Sequence, residues 1–349
     1  MQSRHLTRIA LFLTLTMITA ACGSDGDGGG DAGGSSGGEA TGDLTVYSGR
    51  SEELVGPLTA QFEDETGIDV EVRYGDTSQM AGAILEEGDN SPADVFYGQD
   101  AGALGALSAE GRFQKLDPAL LERVDPQFRS VDDEWVGVSG RARVAVYNTE
   151  ALSEDDLPES VLDFTDPEWG GGKLGWAPTN GSFQAFVTAL RVLVGEEGAR
   201  AWLEGIQANE PKVYDSNVPI VEATGAGEIQ VGFVNHYYLY RFLAEDPAFP
   251  AANYLFPNGD VGSLVNVAGV GIIDTAENQD EAERFADFLL GHPAQEYFAD
   301  ETFEIPLVSG VEANPSLPDL ESLLQPDINL NGLADLEGTL ELLTEVGVI

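Results

Sequence analysis

The residues with the most distinctive chemistry lie at His236-Tyr237-Tyr238-Leu239-Tyr240, directly after an apolar run over 229–234. On a regular strand adjacent tyrosines point to opposite faces, but in a strand-to-helix turn both hydroxyls can converge on one cleft. Phenolate is a hard, strongly donating oxygen ligand suited to a hard cation such as Fe(III). The metal would supply the energy to deprotonate groups whose ordinary pKa is about 10. The same dipeptide also suits packing in an amphipathic core, or stacking on an organic ligand. Tyr237 and Tyr238 are therefore candidate metal ligands, with both alternatives open.

A second segment, Pro178-Thr179-Asn180-Gly181-Ser182, precedes a helical pattern. It offers hydroxyls and free backbone N–H groups at the positive end of a helix, with a glycine that admits an oxyanion closely. Thr179, Asn180, Gly181 and Ser182 form a candidate anion cradle, against the plainer reading of a helix cap by Thr179 or Asn180. Asn217 and Asn235 are candidate neutral donors beside it. Gln99 and Asp100 follow a buried strand and are placed to reach the same cleft, Asp100 being equally placed to cap the helix that starts at 101. Arg141 and Arg143 flank a crossing strand and read as an inter-lobe ion pair.

These residues need elements to position them. Alternation of Leu44 and Val46 predicts a strand over 43–48. Leu54, Leu58 and Phe62 predict a helix over 52–66 that Gly67 stops, and a second strand follows over 68–74. Helices over 78–88 and 101–111 with a buried strand over 93–97 continue the α/β alternation, with parallel pairing expected. The long apolar stretch 135–148 reads as a strand crossing between lobes. A second series follows: strand 175–177, helices 183–193, 199–207 and 219–226, and strand 229–234. A glycine-laced strand over 265–273 and helices over 279–291 and 293–300 come last, and no repeat of fixed period is visible. The expected architecture is a hinged α/β clamshell, its first lobe 43–140 plus 265–310 and its second 141–264 plus 311–349 with C-terminal helices. Ligands in such lobes sit at strand carboxyl ends and helix N-termini, which selects loops 48–51, 98–100, 179–182 and 235–238.

The chain has 349 residues, 42% hydrophobic, enough for a large core and two ordinary domains. Its 61 acidic against 16 basic residues give a formal charge of -45, which repels nucleic acid and anionic lipid headgroups. One cysteine and three histidines leave no Cys/His zinc cluster and no internal disulfide. Arg4 and Arg8, an apolar run over 9–18 and small residues before Cys22 read as a signal peptide over 1–21. Cys22 and the Gly/Ser/Asp stretch to residue 42 then read as a lipidated N-terminus on a flexible linker. The expected protein is extracytoplasmic, held to the cell membrane only by its lipid anchor, and monomeric. His236 and His292 are the only imidazoles beyond the leader. With no Gly-x-Ser-x-Gly elbow on a strand-to-helix turn and no His-Glu-x-x-His, an enzyme is not expected.

Five blocks occur in order: Thr45-Val46-Tyr47-Ser48-Gly49, Ser91-Pro92-Ala93-Asp94-Val95-Phe96-Tyr97, Val138-Ser139-Gly140-Arg141-Ala142-Arg143, 178–183 and 235–238. With them the chain resembles the bacterial ferric-iron-binding proteins, solute-binding components of iron ABC transporters, from about residue 43 onward. The resemblance implies a type II periplasmic-binding-protein fold, with Fe(III) held beside a synergistic anion, phosphate or carbonate, and delivered to an ABC permease. It assigns Tyr237 and Tyr238 to the metal, and Asn180, Gly181 and Ser182 to the anion with Asn217 and Asn235 beside them. The chain departs from the family pattern at Ser51, where well-known members have a histidine ligand, and at Gln99, where they have a glutamate. It also lacks the third tyrosine that some relatives place in the anion loop. Water, a larger chelating anion or Asp100 must then complete the coordination. The competing cargo is a phosphonate or other small anionic solute, or an iron chelate.

Overall fold

The computed structural model describes residues 43–311, 314–317, 323 and 325–349. The expected signal peptide, Cys22 and the linker lie outside the described residues. In chain order the first elements are β1 (Asp43–Ser48), α1 (Glu52–Thr66), β2 (Asp69–Tyr74), α2 (Thr77–Glu87), β3 (Val95–Gly98), α3 (Ala101–Ala109), α4 (Pro118–Leu121) and β4 (Val136–Asn148). Then come β5 (Leu174–Trp176), α5 (Gly181–Ala208), β6 (Lys212–Val213), α6 (Asn217–Gly225), β7 (Val231–Asn235), α7 (Tyr237–Glu245) and β8 (Ala251–Tyr254). The last are β9 (Val265–Ile272), α8 (Gln279–Leu289), α9 (His292–Asp300), β10 (Ile305–Pro306) and α10 (Leu336–Val346).

The opening βαβ unit forms as its pattern predicts. Leu54, Leu58 and Phe62 bury one stripe of α1, and Gly67 at φ 73 ends the helix with its N–H on the Glu63 carbonyl. Strand β1 pairs in parallel with β2 on one side and β3 on the other. Within the first sheet parallel pairing stops there. Strand β9 runs antiparallel to β3 and to the first half of β4. The parallel pairing expected of the opening α/β series holds for β1 with β2 and β3, and β9 adds an antiparallel joint because it enters the sheet directly from the other half of the molecule.

Strand β4 is 13 residues long and buried throughout. Its first half joins β9 from Val136↔Val270 to Ala142↔Val265, and also β10. Its second half joins β7 from Arg143↔Asn235 to Tyr147↔Val231, with β8 on its other edge. One strand thus belongs to two sheets, as a crossing strand must. The second sheet continues from β7 through β5 to β6 in parallel.

An aromatic core covers the second sheet, where Phe233 meets Phe164 and Trp202 edge-on and Trp176 meets Phe183. The two helices read over 183–193 and 199–207 are joined in α5 across a kink at Gly195, with φ 79 and ψ 164. The tail serves both sheets: the turn Leu330–Ala334 packs on α3 and α10 packs on α5. Among the described residues no helix is long and apolar enough to cross a membrane.

Candidate cleft at the ends of both sheets

Strand β7 ends at Asn235, and α7 begins two residues later with His236 in the cap position. The turn is pinned to β4 at two points: His236 N–H donates to the Ala142 carbonyl at 2.9 Å, and Ala142 N–H donates to His236 Nδ1 at 3.1 Å. Nδ1 is therefore the acceptor nitrogen, and the ring proton sits on Nε2. Burial pushes the imidazole down to about 4, against the opposing pull of Glu304, so His236 is neutral and structural. The turn brings the Tyr237 and Tyr238 rings side by side, centroids 4.2 Å apart and planes at 32°. Tyr237 is fully buried and its hydroxyl has no partner among the described residues. Burial, and then Tyr237, hold the Tyr238 phenol well above the usual range, with Arg141 and Arg50 opposing.

The anion-loop residues come together with both candidate asparagines. Asn180 caps α5, and its Oδ1 accepts from Ser182 N–H at 3.1 Å, Ser182 Oγ at 2.6 Å and Asn217 Nδ2 at 3.2 Å. Asn235 N–H donates to Asn217 Oδ1 at 3.3 Å, and Arg143 Nη1 donates to Asn235 Oδ1 at 3.2 Å and Ser182 Oγ at 3.4 Å. Asn235 Nδ2 is left as a buried donor without a protein acceptor. Thr179 is exposed and stands outside this network, so the cap belongs to Asn180.

Arg141 and Arg143 do not form the expected ion pair. Among the described residues neither has a carboxylate partner within salt-bridge distance, because β4 carries both to the junction of the sheets, where their hydrogen-bond partners are the Val267 carbonyl, the Ser182 hydroxyl and the Asn235 amide. Arg141 uses Nη2 on the Val267 carbonyl at 3.4 Å and keeps Nε and Nη1 free, and Arg143 keeps Nη2 free. Burial and then the charge of Arg141 pull Arg143 below its usual value, while both tyrosines oppose the shift.

Sequence reasoning missed Arg50, although loop 48–51 was among the selected ligand loops; attention went to Ser51. Ser51 is exposed and makes no capping bond, whereas Arg50 is fully buried. Arg50 Nη2 donates to Glu304 Oε2 at 2.7 Å while its Nε and Nη1 stay unpartnered. Burial works against the Arg50 charge, but Glu304, Tyr97 and Tyr237 outweigh it. No local signal marks Glu304, which lies 254 residues away in sequence. The loop backbone is locked as well: Gly49 N–H donates to the Tyr97 carbonyl at 2.8 Å, and Thr77 Oγ1 donates to the Gly49 carbonyl at 3.2 Å. A Cβ at position 49 would lie 2.3 Å from Thr77 Oγ1 and 2.7 Å from its Cα. Gly49→Ala is expected to lower stability by about 1–3 kcal/mol, the usual overpacking range, and to displace Arg50. Thermal melting and ligand titration check the two effects.

Asp100 caps α3, its Oδ1 accepting Ala103 N–H at 3.0 Å, and burial raises its pKa while the Ala103 N–H and Arg141 oppose. A Cβ at Gly181 would meet Asp100 Oδ2 at 3.6 Å, so the anion loop closes against this residue. Gln99 is half-buried and is tied only through its backbone N–H to Thr77 Oγ1 at 3.3 Å. Among the described residues no group of three or more His, Cys, Asp or Glu is placed to hold a metal. The oxygen donors with metal-ligand character here are the phenols, together with the Asp100 carboxylate, whose Oδ2 faces Gly181.

Two α/β sheets sharing a crossing strand, with buried polar groups gathered near their junction, define a two-lobed solute-binding protein of the type II periplasmic class. The family described as bacterial extracellular solute-binding protein matches residues 90–329. The Fe(3+)-binding periplasmic protein of Serratia marcescens is 33% identical over 315 residues, covering 88% of this chain and 90% of its own. The major ferric iron-binding protein of Neisseria meningitidis serogroup B is 33% identical over 311 residues, with 88% and 93% covered. The structure of iron-bound HitA from Pseudomonas aeruginosa superposes with a TM-score of 0.84 at 34% identity, covering 87% of this chain and 99% of that one. The chain belongs to the bacterial ferric-iron-binding protein family.

Proposed function

We propose that the chain is the extracytoplasmic receptor of an ABC importer, capturing Fe(III) with an exogenous oxyanion between its lobes and delivering it to the permease. The observation that carries this reading is the Tyr237–Tyr238 pair, its rings side by side, in a protein that also buries Arg50, Arg141 and Arg143 with spare N–H groups that have no acceptor among the described residues. Fe(III) on two phenolates still bears a positive charge, and among the described residues Glu304 is the one carboxylate paired with these arginines. Iron alone would add charge to a cleft already in cationic excess, at a steep cost in low dielectric. Phosphate or carbonate on Arg143, Ser182, Asn217 and Asn235 removes the excess and completes coordination that Ser51 and Gln99 do not supply. In this reading the lobes are 43–140 with 265–310 and 141–264 with 311–349. Lipidated Cys22 tethers the monomer to the membrane.

The test is titration of iron-free protein with Fe(III), with and without phosphate or carbonate, followed by visible absorbance. A phenolate-to-iron band that develops fully only with the anion is the expected result. The same surplus of arginines favours a second reading, a phosphonate or other small anionic solute, or a preformed iron chelate. Tight, colourless binding of an anion that iron does not strengthen would select the colourless solute.

A further inference from the structure

The joint between the lobes has a third component besides its crossing strands, and it serves whichever cargo the cleft takes. Helix α3 packs on the first sheet, where a Cβ at Gly269 of β9 would lie 2.8 Å from Leu104 Cδ1. Helix α5 packs on the second, through Phe183 on Trp176 and Trp202 on Phe233. Both helices begin at the cleft, one capped by Asp100 and the other by Asn180. The C-terminal segment 329–346 is attached to both.

Its hold on α3 is close packing. A Cβ at Gly102 would lie 2.9 Å from the Leu333 carbonyl oxygen, and one at Gly105 would lie 2.9 Å from Ala334 Cβ. The turn Leu330–Ala334 therefore rests on a face of α3 that only glycine leaves open, and it buries Leu330 and Leu333. Asn331 adds bonds to the chain just before β4: its Nδ2 donates to the Arg129 carbonyl at 3.2 Å, and its Oδ1 accepts Val131 N–H at 3.4 Å. The hold on α5 is polar. Arg191 Nη1 donates to the Asp335 carbonyl and to Thr339 Oγ1, each at 3.0 Å, and Nη2 donates to Asp335 Oδ2 at 2.8 Å. The buried Thr188 and Thr339 hydroxyls are 2.7 Å apart.

The contacts that α7 makes with the first lobe are weaker in kind. They are an ion pair between Arg241 and Glu53 of α1, and a stack of Tyr240 on Phe303 with centroids 5.8 Å apart. Glu53 is 70% exposed, so its ion pair contributes little in salt. Lifting the tail from α3 would instead uncover two leucines, a larger loss.

We propose that segment 329–346 is a strap that stays seated on α3 and α5 whether the cleft is open or closed, so that the lobes part at the α1–α7 rim alone. Asp100 Oδ2, which lies 3.6 Å from where a Gly181 Cβ would be, then faces the loop 179–182 in both states. Cargo enters and leaves past α7.

Spin-label distances in the full chain test this, with Cys22→Ala removing the native thiol. One labelled pair spans α1 and α7 (Glu52→Cys/Glu245→Cys) and another spans α3 and α5 (Ala109→Cys/Glu197→Cys), all at exposed positions. Without cargo, the α1–α7 pair should give a broad distribution reaching beyond its spacing in this structure, and the α3–α5 pair a narrow one at its spacing. Arg191→Ala, which cuts the guanidinium bonds to the tail, should broaden the α3–α5 distribution, and Gly105→Leu, which forces the turn off α3, should do the same. If Gly105→Leu fails to fold, the milder Arg191→Ala carries the comparison. An α3–α5 distribution as broad as the α1–α7 one in the otherwise unaltered chain overturns the proposal. So does a narrow α1–α7 distribution without cargo, or an α3–α5 spacing that stays narrow in the folded strap variants.

Discussion

Tyr237→Phe/Tyr238→Phe is expected to fold and to take up no iron, with the visible band absent at any iron concentration that leaves the protein soluble. Each single change should cost more than about 10²-fold in affinity, since loss of a metal-bound oxygen exceeds the 10–100-fold carried by outer-shell partners. The folded state supplies its own control. The Tyr237 hydroxyl is buried without a partner in the iron-free protein, so Tyr237→Phe removes an unsatisfied group. Its melting temperature without ligand should hold or rise. If both rings were only core residues, losing a hydroxyl would shift stability by about 0.5–1.5 kcal/mol and leave ligand affinity alone. Iron binding by the double variant with wild-type affinity and colour would remove the phenols from the site.

Iron affinity is also expected to fall steeply with acid, by about a hundredfold per pH unit if two phenols give up protons for each iron bound. The sign follows from Tyr238. Burial raises its pKa above the usual phenol value, so in the empty cleft the proton stays on through and beyond the neutral range. Iron must displace that proton, which makes affinity rise with pH everywhere below the raised pKa and level off only above it. Competition titrations between about pH 6 and 8, with proton uptake measured on release, check the slope. An affinity that ignores pH over that range would mean that phenolates are not formed.

Legibility differed between the fold and the cleft. Strands and helices with a clean period were readable to within a few residues: Leu54, Leu58 and Phe62 on α1, and the buried run of β4. The parallel pairing of β1 with β2 and β3 was readable too, but the antiparallel entry of β9 was not, because it reaches β3 from the other half of the chain and nothing in its glycine-laced sequence states its direction. The two-residue strands β6 and β10 were missed, since two residues carry no alternation, and so was β8. In the cleft, the Tyr-Tyr pair and the Asn180–Ser182 loop stood out because their chemistry is local to a few consecutive residues. Arg141 and Arg143 were seen and misread: pairing with a carboxylate is the ordinary fate of a buried arginine, and only the assembled fold shows that their partners are a carbonyl, a hydroxyl and an amide. Arg50 and Glu304 define each other, so neither has a signature until the fold brings them together.

The antiparallel joint between β3 and β9 has a kinetic consequence. It sets Tyr97 opposite Val270 and Val95 opposite Ile272, so the centre of the first sheet waits for a strand that emerges after the whole second sheet has been synthesised. Closing so long a loop places the entropy cost early and the contact energy late, a combination that slows folding. A nascent chain of this connectivity can assemble its opening βαβ unit but not bury its inner face, and so remains open to unfolding and threading until nearly its full length exists.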